Sequence, residues 1–171
     1  MNKRLFLIAA FFTFLFTQLH AQDKTYSAGL YGDMMMESPG YDLYYGGVFR
    51  YDFHKKQAVK GYVGYSTVNT TSIGVDYSYF FLDKTKSDFN VFVSGGVSYD
   101  FYRQKVKLEI DGQEATAKLS SNIFLLNPTV GVSYYVKPLN SSITAGYKVR
   151  YSPKQNAADI NFLSVGLLYH W

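Results

Sequence analysis

The sequence predicts an all-β fold: an eight-stranded antiparallel up-and-down transmembrane β-barrel behind a cleaved signal peptide. Three observations carry this expectation. The chain opens with a short apolar leader, most of the remainder alternates apolar and polar residues with period two, and the alternation is broken by turn residues at intervals of unequal length. The 171 residues suit one domain.

The leader comes first. Lys3 and Arg4 supply a charged start, Leu5 to Phe16 an apolar stretch, and Leu19-His20-Ala21 a small residue just before Gln22. This is the layout of a secretory signal peptide over 1–21, leaving 22–171 as the barrel domain. The apolar run is short for a membrane helix, which needs about 20 residues. No later segment approaches such a span. The remainder is therefore either soluble and exported, or crosses a membrane with strands.

The strands follow in order. The first, 24–32, is short and weakly patterned. In 43–53, Leu43, Tyr45, Gly47, Phe49, Tyr51 and Phe53 share one face, opposite Tyr44, Gly46, Val48, Arg50 and Asp52. The next is 58–68; then 71–82 sets Ile73, Val75, Tyr77, Tyr79 and Phe81 against Ser72, Gly74, Asp76, Ser78 and Phe80. Residues 89–101 set Phe89, Val91, Val93, Gly95, Val97, Tyr99 and Phe101 against Asn90, Phe92, Ser94, Gly96, Ser98 and Asp100. In 122–136, Phe124, Leu126, Val130, Val132, Tyr134 and Val136 share a face with Pro128, which predicts a bulge or break there because proline has no ladder donor. Residues 142–151 place Ile143, Ala145, Tyr147, Val149 and Tyr151 against Thr144, Gly146, Lys148 and Arg150. The last strand places Leu163, Val165, Leu167, Tyr169 and Trp171 against Ser164, Gly166 and His170. At about 9–14 residues these strands are long for soluble sheets and near what a tilted membrane strand requires.

Each strand thus has an apolar, aromatic face and a face of Gly, Ser, Thr and charge. A soluble barrel turns the apolar face inward, and a membrane barrel turns it outward. The breaks, at 33–41, 54–57, 69–70, 83–88, 104–121, 137–141 and 152–160, favour the membrane. From a periplasmic start the odd breaks are extracellular and include the three longest, the outer-membrane asymmetry of long outer loops and short inner turns; 69–70 is the exception.

Composition agrees. Aromatics make up 19% of the chain, with 17 Tyr and 14 Phe against a single Trp, a surplus suited to a surface part lipid and part interface. With no Cys there is neither a disulfide framework nor a thiolate chemistry. Lys3 and Arg4 leave with the leader, so the remainder carries 15 basic against 13 acidic residues. That balance, without a basic stripe, argues against nucleic acid as a partner.

With leader, strand number, break asymmetry and the ending Leu167-Leu168-Tyr169-His170-Trp171 in place, residues 22–171 resemble the small eight-stranded outer-membrane barrels of the OmpX, OmpA transmembrane-domain and opacity-protein type. The resemblance implies a bacterial outer-membrane location and contact with its lipid and lipopolysaccharide. It also implies recognition by the barrel-insertion machinery through the strand ending at Trp171. A periplasmic domain after Trp171, as in two-domain OmpA proteins, is not expected.

The sequence offers little for catalysis. Beyond the leader the histidines are His54, in an expected periplasmic turn, and His170, expected at the interface near the chain end; neither fits a triad. Asp33, Glu37 and Asp42 around the first break, and Glu109, Asp111 and Glu114 in the third, lack calcium-loop spacing and are expected as solvated loop charge. No metal or cofactor is expected. Met34-Met35-Met36 fits the upper rim of the first strand.

Two sets of residues are candidate sites. The polar-face charges Arg50, Asp52, Asp76, Asp100, Lys148 and Arg150 are expected to pair inside a narrow lumen, because buried charges must be compensated. In 104–121, alternating residues flank the tight-turn signal Asp111-Gly112 and predict a hairpin above the membrane. Its Lys107, Glu109, Asp111, Gly112, Glu114 and Lys118 are candidates for contact with another protein by strand addition. The function expected is a filled barrel with a structural or surface-interaction role and no catalysis. Its rivals are a soluble lipocalin-like ligand binder, a lipid A-modifying enzyme and a secretion-accessory barrel.

Overall fold

The computed structural model describes residues 26–36, 42–110 and 113–171, with the backbone alone over 104–110 and 113–119. The leader expected over 1–21 lies outside the described residues, as do Glu37, Asp111 and Gly112.

The strands are β1 (Tyr26–Met35), β2 (Leu43–His54), β3 (Gln57–Ser66), β4 (Thr70–Phe80), β5 (Phe89–Ile110), β6 (Gln113–Leu126), β7 (Thr129–Val136), β8 (Ser141–Ser152) and β9 (Ala157–His170). All pairings are antiparallel, and β9 returns to β1, from Ser27 opposite His170 to Met35 opposite Phe162. β6 and β7 both lie along β5, so they are two lengths of one stave and the nine segments close an eight-stave barrel.

The split in that stave falls at Asn127-Pro128, where the sequence predicts it. Pro128 has no N–H to donate. The ladder is bridged by Asn127 N–H to the Gly96 carbonyl (2.9 Å) and Val149 N–H to the Pro128 carbonyl (2.9 Å). Asn127 and Asn90 on these neighbouring staves both turn their side chains inward, buried.

Several expected boundaries move. β1 runs on to Met35, so Asp33 belongs to a strand and not to a loop. β9 starts at Ala157, which shrinks the expected 152–160 loop to a four-residue turn, 153–156, closed by Asn156 at φ 49°. Over 104–121 the strands continue as the hairpin that the sequence predicts, with Ile110 registered opposite Gln113. The asymmetry between the two ends therefore resides in overrunning strands, and the expected contrast of long outer loops with short inner turns is not found. Its longest described interruption, 81–88, lies at the end that carries the chain termini. Polar and turn-type residues hid the extensions of β1 and β9, because above the apolar band a ladder needs only backbone partners.

The two faces then sort by polarity. Asp76, Asp33, Asp100, Arg50, Lys148 and Arg150 are buried within the barrel, while Leu30 is 68% exposed and Val63, Ile73, Val130 and Leu167 are each more than half exposed on its outside. This excludes the lipocalin-like alternative, which needs the apolar face inside. Outward aromatics gather towards the two ends: Tyr51, Phe53, Tyr77, Phe89, Tyr134 and Tyr169 near the termini, Tyr45, Tyr65, Tyr99, Phe124 and Tyr147 near the other end. An aliphatic band between aromatic girdles is the surface of a transmembrane barrel.

Leu30→Arg places a charge within this band and is expected to cost about 2–4 kcal/mol, the depth-dependent penalty for the bilayer middle. Reversible denaturant unfolding from lipid vesicles measures it; a cost near zero would mean that Leu30 does not face lipid.

Candidate functional site

The inward faces place one side chain every second residue into a narrow lumen, where charge has to be matched locally. Near the end opposite the termini, Arg150 on β8 reaches Asp100 on β5, with Nη2 2.6 Å from Oδ2. The Tyr44 ring lies beneath the guanidinium, 4.4 Å from ring centroid to Cζ, and Phe162 lies at 5.3 Å. The Tyr44 hydroxyl donates to the same Asp100 oxygen at 3.4 Å.

The middle layer contains two further pairs. Lys148 on β8 bonds Asp33 on β1 across the lumen. Lys60 Nζ stands 3.1 Å from Asp76 Oδ2, an ion pair by distance whose angle is not that of a hydrogen bond. Between them Tyr31 and Tyr62 meet edge to face at 5.2 Å, with Val48 and Leu168 packed alongside. Asn127 donates to the Tyr62 hydroxyl (3.1 Å) and to Ser98 Oγ (2.9 Å). These rings fit because the facing positions are glycine. A Cβ at Gly64 would collide with the Tyr31 hydroxyl, and one at Gly74 with the Tyr62 ring.

Towards the termini, Asp52 accepts from two cations at once: Arg50 Nη2 on Oδ2 at 3.1 Å, and Lys84 Nζ on Oδ1. Both cations lie over the Phe80 ring, which packs on Phe92 and Ala58. Lys84 comes from the 81–88 turn, which is tied to the barrel by the Asn90 side chain bonding both the N–H and the carbonyl of Leu82. Burial pushes the Lys84 ammonium below its ordinary value, against the opposing pull of Asp52. On the rim, the Thr85 hydroxyl and N–H hold the Asp83 carboxyl low, and Asp88 at 2.8 Å holds the Lys137 ammonium high.

The six charges singled out in the sequence thus all lie in the lumen. Their partners differ from a closed set among themselves: Asp33, Lys60 and Lys84 complete the pairs. Asp33 was missed because the expected first strand stopped short of it, although it continues the parity of Ser27, Gly29 and Tyr31. Lys60 was legible on the polar face. Lys84 carries no signal, since a turn residue enters the lumen only through the way its turn folds. His54 is exposed at the end of β2. His170 is not interfacial as expected; it is buried in the lumen with Nε2 2.8 Å from Ser142 Oγ and its ring edge-on to Tyr135. Met34 and Met35 form the last rungs of β1: Met34 is registered with Leu43 and Leu163, and Met35 with Phe162, its N–H bonding the Asp42 carbonyl at 2.8 Å.

The hairpin candidates occupy the overrun of β5 and β6. Glu109 is registered opposite Glu114, Lys107 opposite Thr116, and Lys105 opposite Lys118. Asp111 and Gly112 fall outside the described residues. Pairing of β5 with β4 ends at Tyr102, and β6 meets β8 only at Leu126, so both edges of the hairpin beyond these points lack a barrel partner among the described residues.

Two cavities enter the lumen from opposite ends, about 760 Å³ at the termini end and about 160 Å³ at the other, and they share no lining residue. The layer of Tyr31, Tyr62 and the two middle ion pairs separates them.

No family model and no curated protein matches the chain. Among solved structures it is similar to the N-terminal β-barrel domain of Pseudomonas aeruginosa OprF, with a TM-score of 0.67 at 14% identity over 86% of this chain and 98% of that one. It is also similar to a structure described as de novo design of transmembrane β-barrels, with a TM-score of 0.58 at 12% identity over 90% of this chain and 100% of the other. Neisserial surface protein A gives a TM-score of 0.51 at 19% identity over 89% of this chain and 100% of the other. At these identities the likeness is one of fold, that of a small transmembrane barrel.

Removing one member of a buried pair leaves the other charge uncompensated. Asp100→Asn or Arg150→Met alone is therefore expected to destabilise by about 3–5 kcal/mol, and the double variant by clearly less than the sum. A double-mutant cycle in denaturant measures the coupling, and strict additivity would deny the pair any. Lys84 gives a pH signature. Its folded pKa is depressed, so between that value and the ordinary 10.5 the unfolded chain binds more protons and stability rises with pH. Lys84→Met should lose that rise in thermal unfolding across the alkaline range.

Proposed function

We propose that the protein is an integral protein of a bacterial outer membrane whose barrel has a side-chain-filled lumen, and that it serves a structural or surface-interaction role through the β5–β6 hairpin without catalysis. The observation that carries this reading is the lumen itself. The ion pairs Lys148–Asp33 and Lys60–Asp76 and the Tyr31–Tyr62 layer stand between two separate cavities, so the barrel is filled where a porin is open. The aliphatic band and its girdles supply the lipid contact, with outer-membrane lipid and lipopolysaccharide as the surrounding partners. An outer-membrane location is supported by the closed antiparallel barrel with its exposed aliphatic band, in which every strand edge that would face lipid is paired.

The hairpin is the natural contact element. It extends beyond the barrel with edges that have no strand partner among the described residues, and its register sets Glu109 opposite Glu114 and Lys105 opposite Lys118. Such an edge suits strand addition by another protein. The termini then lie on the periplasmic side.

Two measurements test this. Planar bilayers carrying the refolded protein should show no conductance of porin size, and steps comparable to a wide porin would overturn the filled lumen. Trypsin added to intact cells should cut within 104–119 and leave the barrel fragments membrane-bound; cutting there only after the periplasm is opened would reverse the orientation.

A further inference from the structure

We propose that the cavity at the termini end of the lumen is a binding site for a small organic anion, a carboxylate or phosphate group carried on a flat apolar body. Its volume, about 760 Å³, lies within the range of about 300–1,000 Å³ that ligand pockets occupy. Its charge is unbalanced. Among the described residues it is lined by Arg50, Lys55, Lys84 and Lys137 against only Asp52 and Asp88. Lys137 and Asp88 cancel each other at 2.8 Å on the rim. Deeper in, the single carboxylate of Asp52 is divided between Arg50 and Lys84, one oxygen to each. Two cations thus share one anion on the wall of a recess bounded by low-dielectric protein. There the excess charge is screened less than on an open surface and draws an anion inward.

The opposite cavity has the reverse sign, with Arg150 set against Asp42, Asp100 and Asp159. The selectivity therefore belongs to one end of the barrel and is not a general property of its lumen. The apolar part of the ligand follows from the wall. Phe80, itself buried, lies beneath both cations and supports them, 4.4 Å from Lys84 Nζ and 5.6 Å from Arg50 Cζ, while the half-buried Tyr135 ring lines the side of the recess. Ser133 adds a hydroxyl that can donate to an anionic oxygen. The site is also pre-positioned. Lys84 N–H bonds the Lys55 carbonyl at 3.2 Å, and Asn90 clamps Leu82 beside it, so the cation is held in the mouth before any ligand arrives. None of this depends on which side of the membrane the mouth faces.

Calorimetric titration of the full chain, folded in non-ionic detergent, tests the site with four probes: phenyl phosphate, benzoate, inorganic phosphate and benzyl alcohol. Phenyl phosphate and benzoate should bind saturably at one per barrel, inorganic phosphate more weakly, and neutral benzyl alcohol not at all. Lys84→Gln should weaken phenyl phosphate about tenfold, and Asp52→Asn, which removes the competing carboxylate, should strengthen it about threefold or more. Because the two substitutions act in opposite directions, a general loss of fold cannot imitate the pair. Absence of saturable binding by both aromatic anions, or affinities that neither substitution changes, would overturn the site. Equal affinity for phenyl phosphate and inorganic phosphate would overturn the apolar part of the assignment.

Discussion

In hydrocarbon each unpaired backbone N–H or C=O costs several kcal/mol, so the pairing of β9 with β1 is the contact on which the rest of this molecule depends. The seam runs from Ser27 opposite His170 to Met35 opposite Phe162 and is continued by Trp171 N–H on the Tyr26 carbonyl at 3.1 Å. Without it two long edges would face lipid. With it the strands are locked in one register, and the period of two then assigns every side chain to lipid or lumen.

Closure at eight staves leaves a bore that side chains can fill, and this sets the chemistry of the interior. A charge placed there has little water to turn to. Arg150 takes Asp100, Lys148 takes Asp33, Lys60 faces Asp76, and Arg150 and Lys148 also lie over the rings of Tyr44 and Tyr62. The rings themselves need space that only missing side chains provide, hence glycine at 64 and 74 opposite Tyr31 and Tyr62. The lumen is thus a second core, built from polar pairs braced by tyrosine, with only small apolar clusters inside it.

The two ends of the barrel are unlike. One is closed down to a small acidic recess beneath a hairpin that overruns the staves, and the other opens into a larger basic recess partly covered by the 81–88 turn. The division follows from where unpaired structure is placed. Strand overrun exposes backbone edges at one end, and a folded turn delivers Lys84 into the mouth at the other.

Strand number, face assignment, the break at Pro128 and the polar-inside arrangement were legible in the sequence, because alternation and proline chemistry are local. The inward set from Tyr44 to Asp52 on β2 can be read without any knowledge of neighbours. The end of β1 and the start of β9 were not legible, since outside the apolar band a strand is made by the partner strand and not by its own hydropathy. For the same reason loop lengths were misjudged at 33–41 and 152–160. The sequence by itself determined that this protein is a barrel with lipid on the apolar side and charge on the other. Only the tertiary structure decided which charges meet, that Asp33 and Lys84 join them, that His170 turns inward, and that the recesses at the two ends carry opposite sign. Those outcomes depend on shear and closure, which bring together residues as far apart as Asp33 and Lys148 and leave no trace in the spacing of either strand.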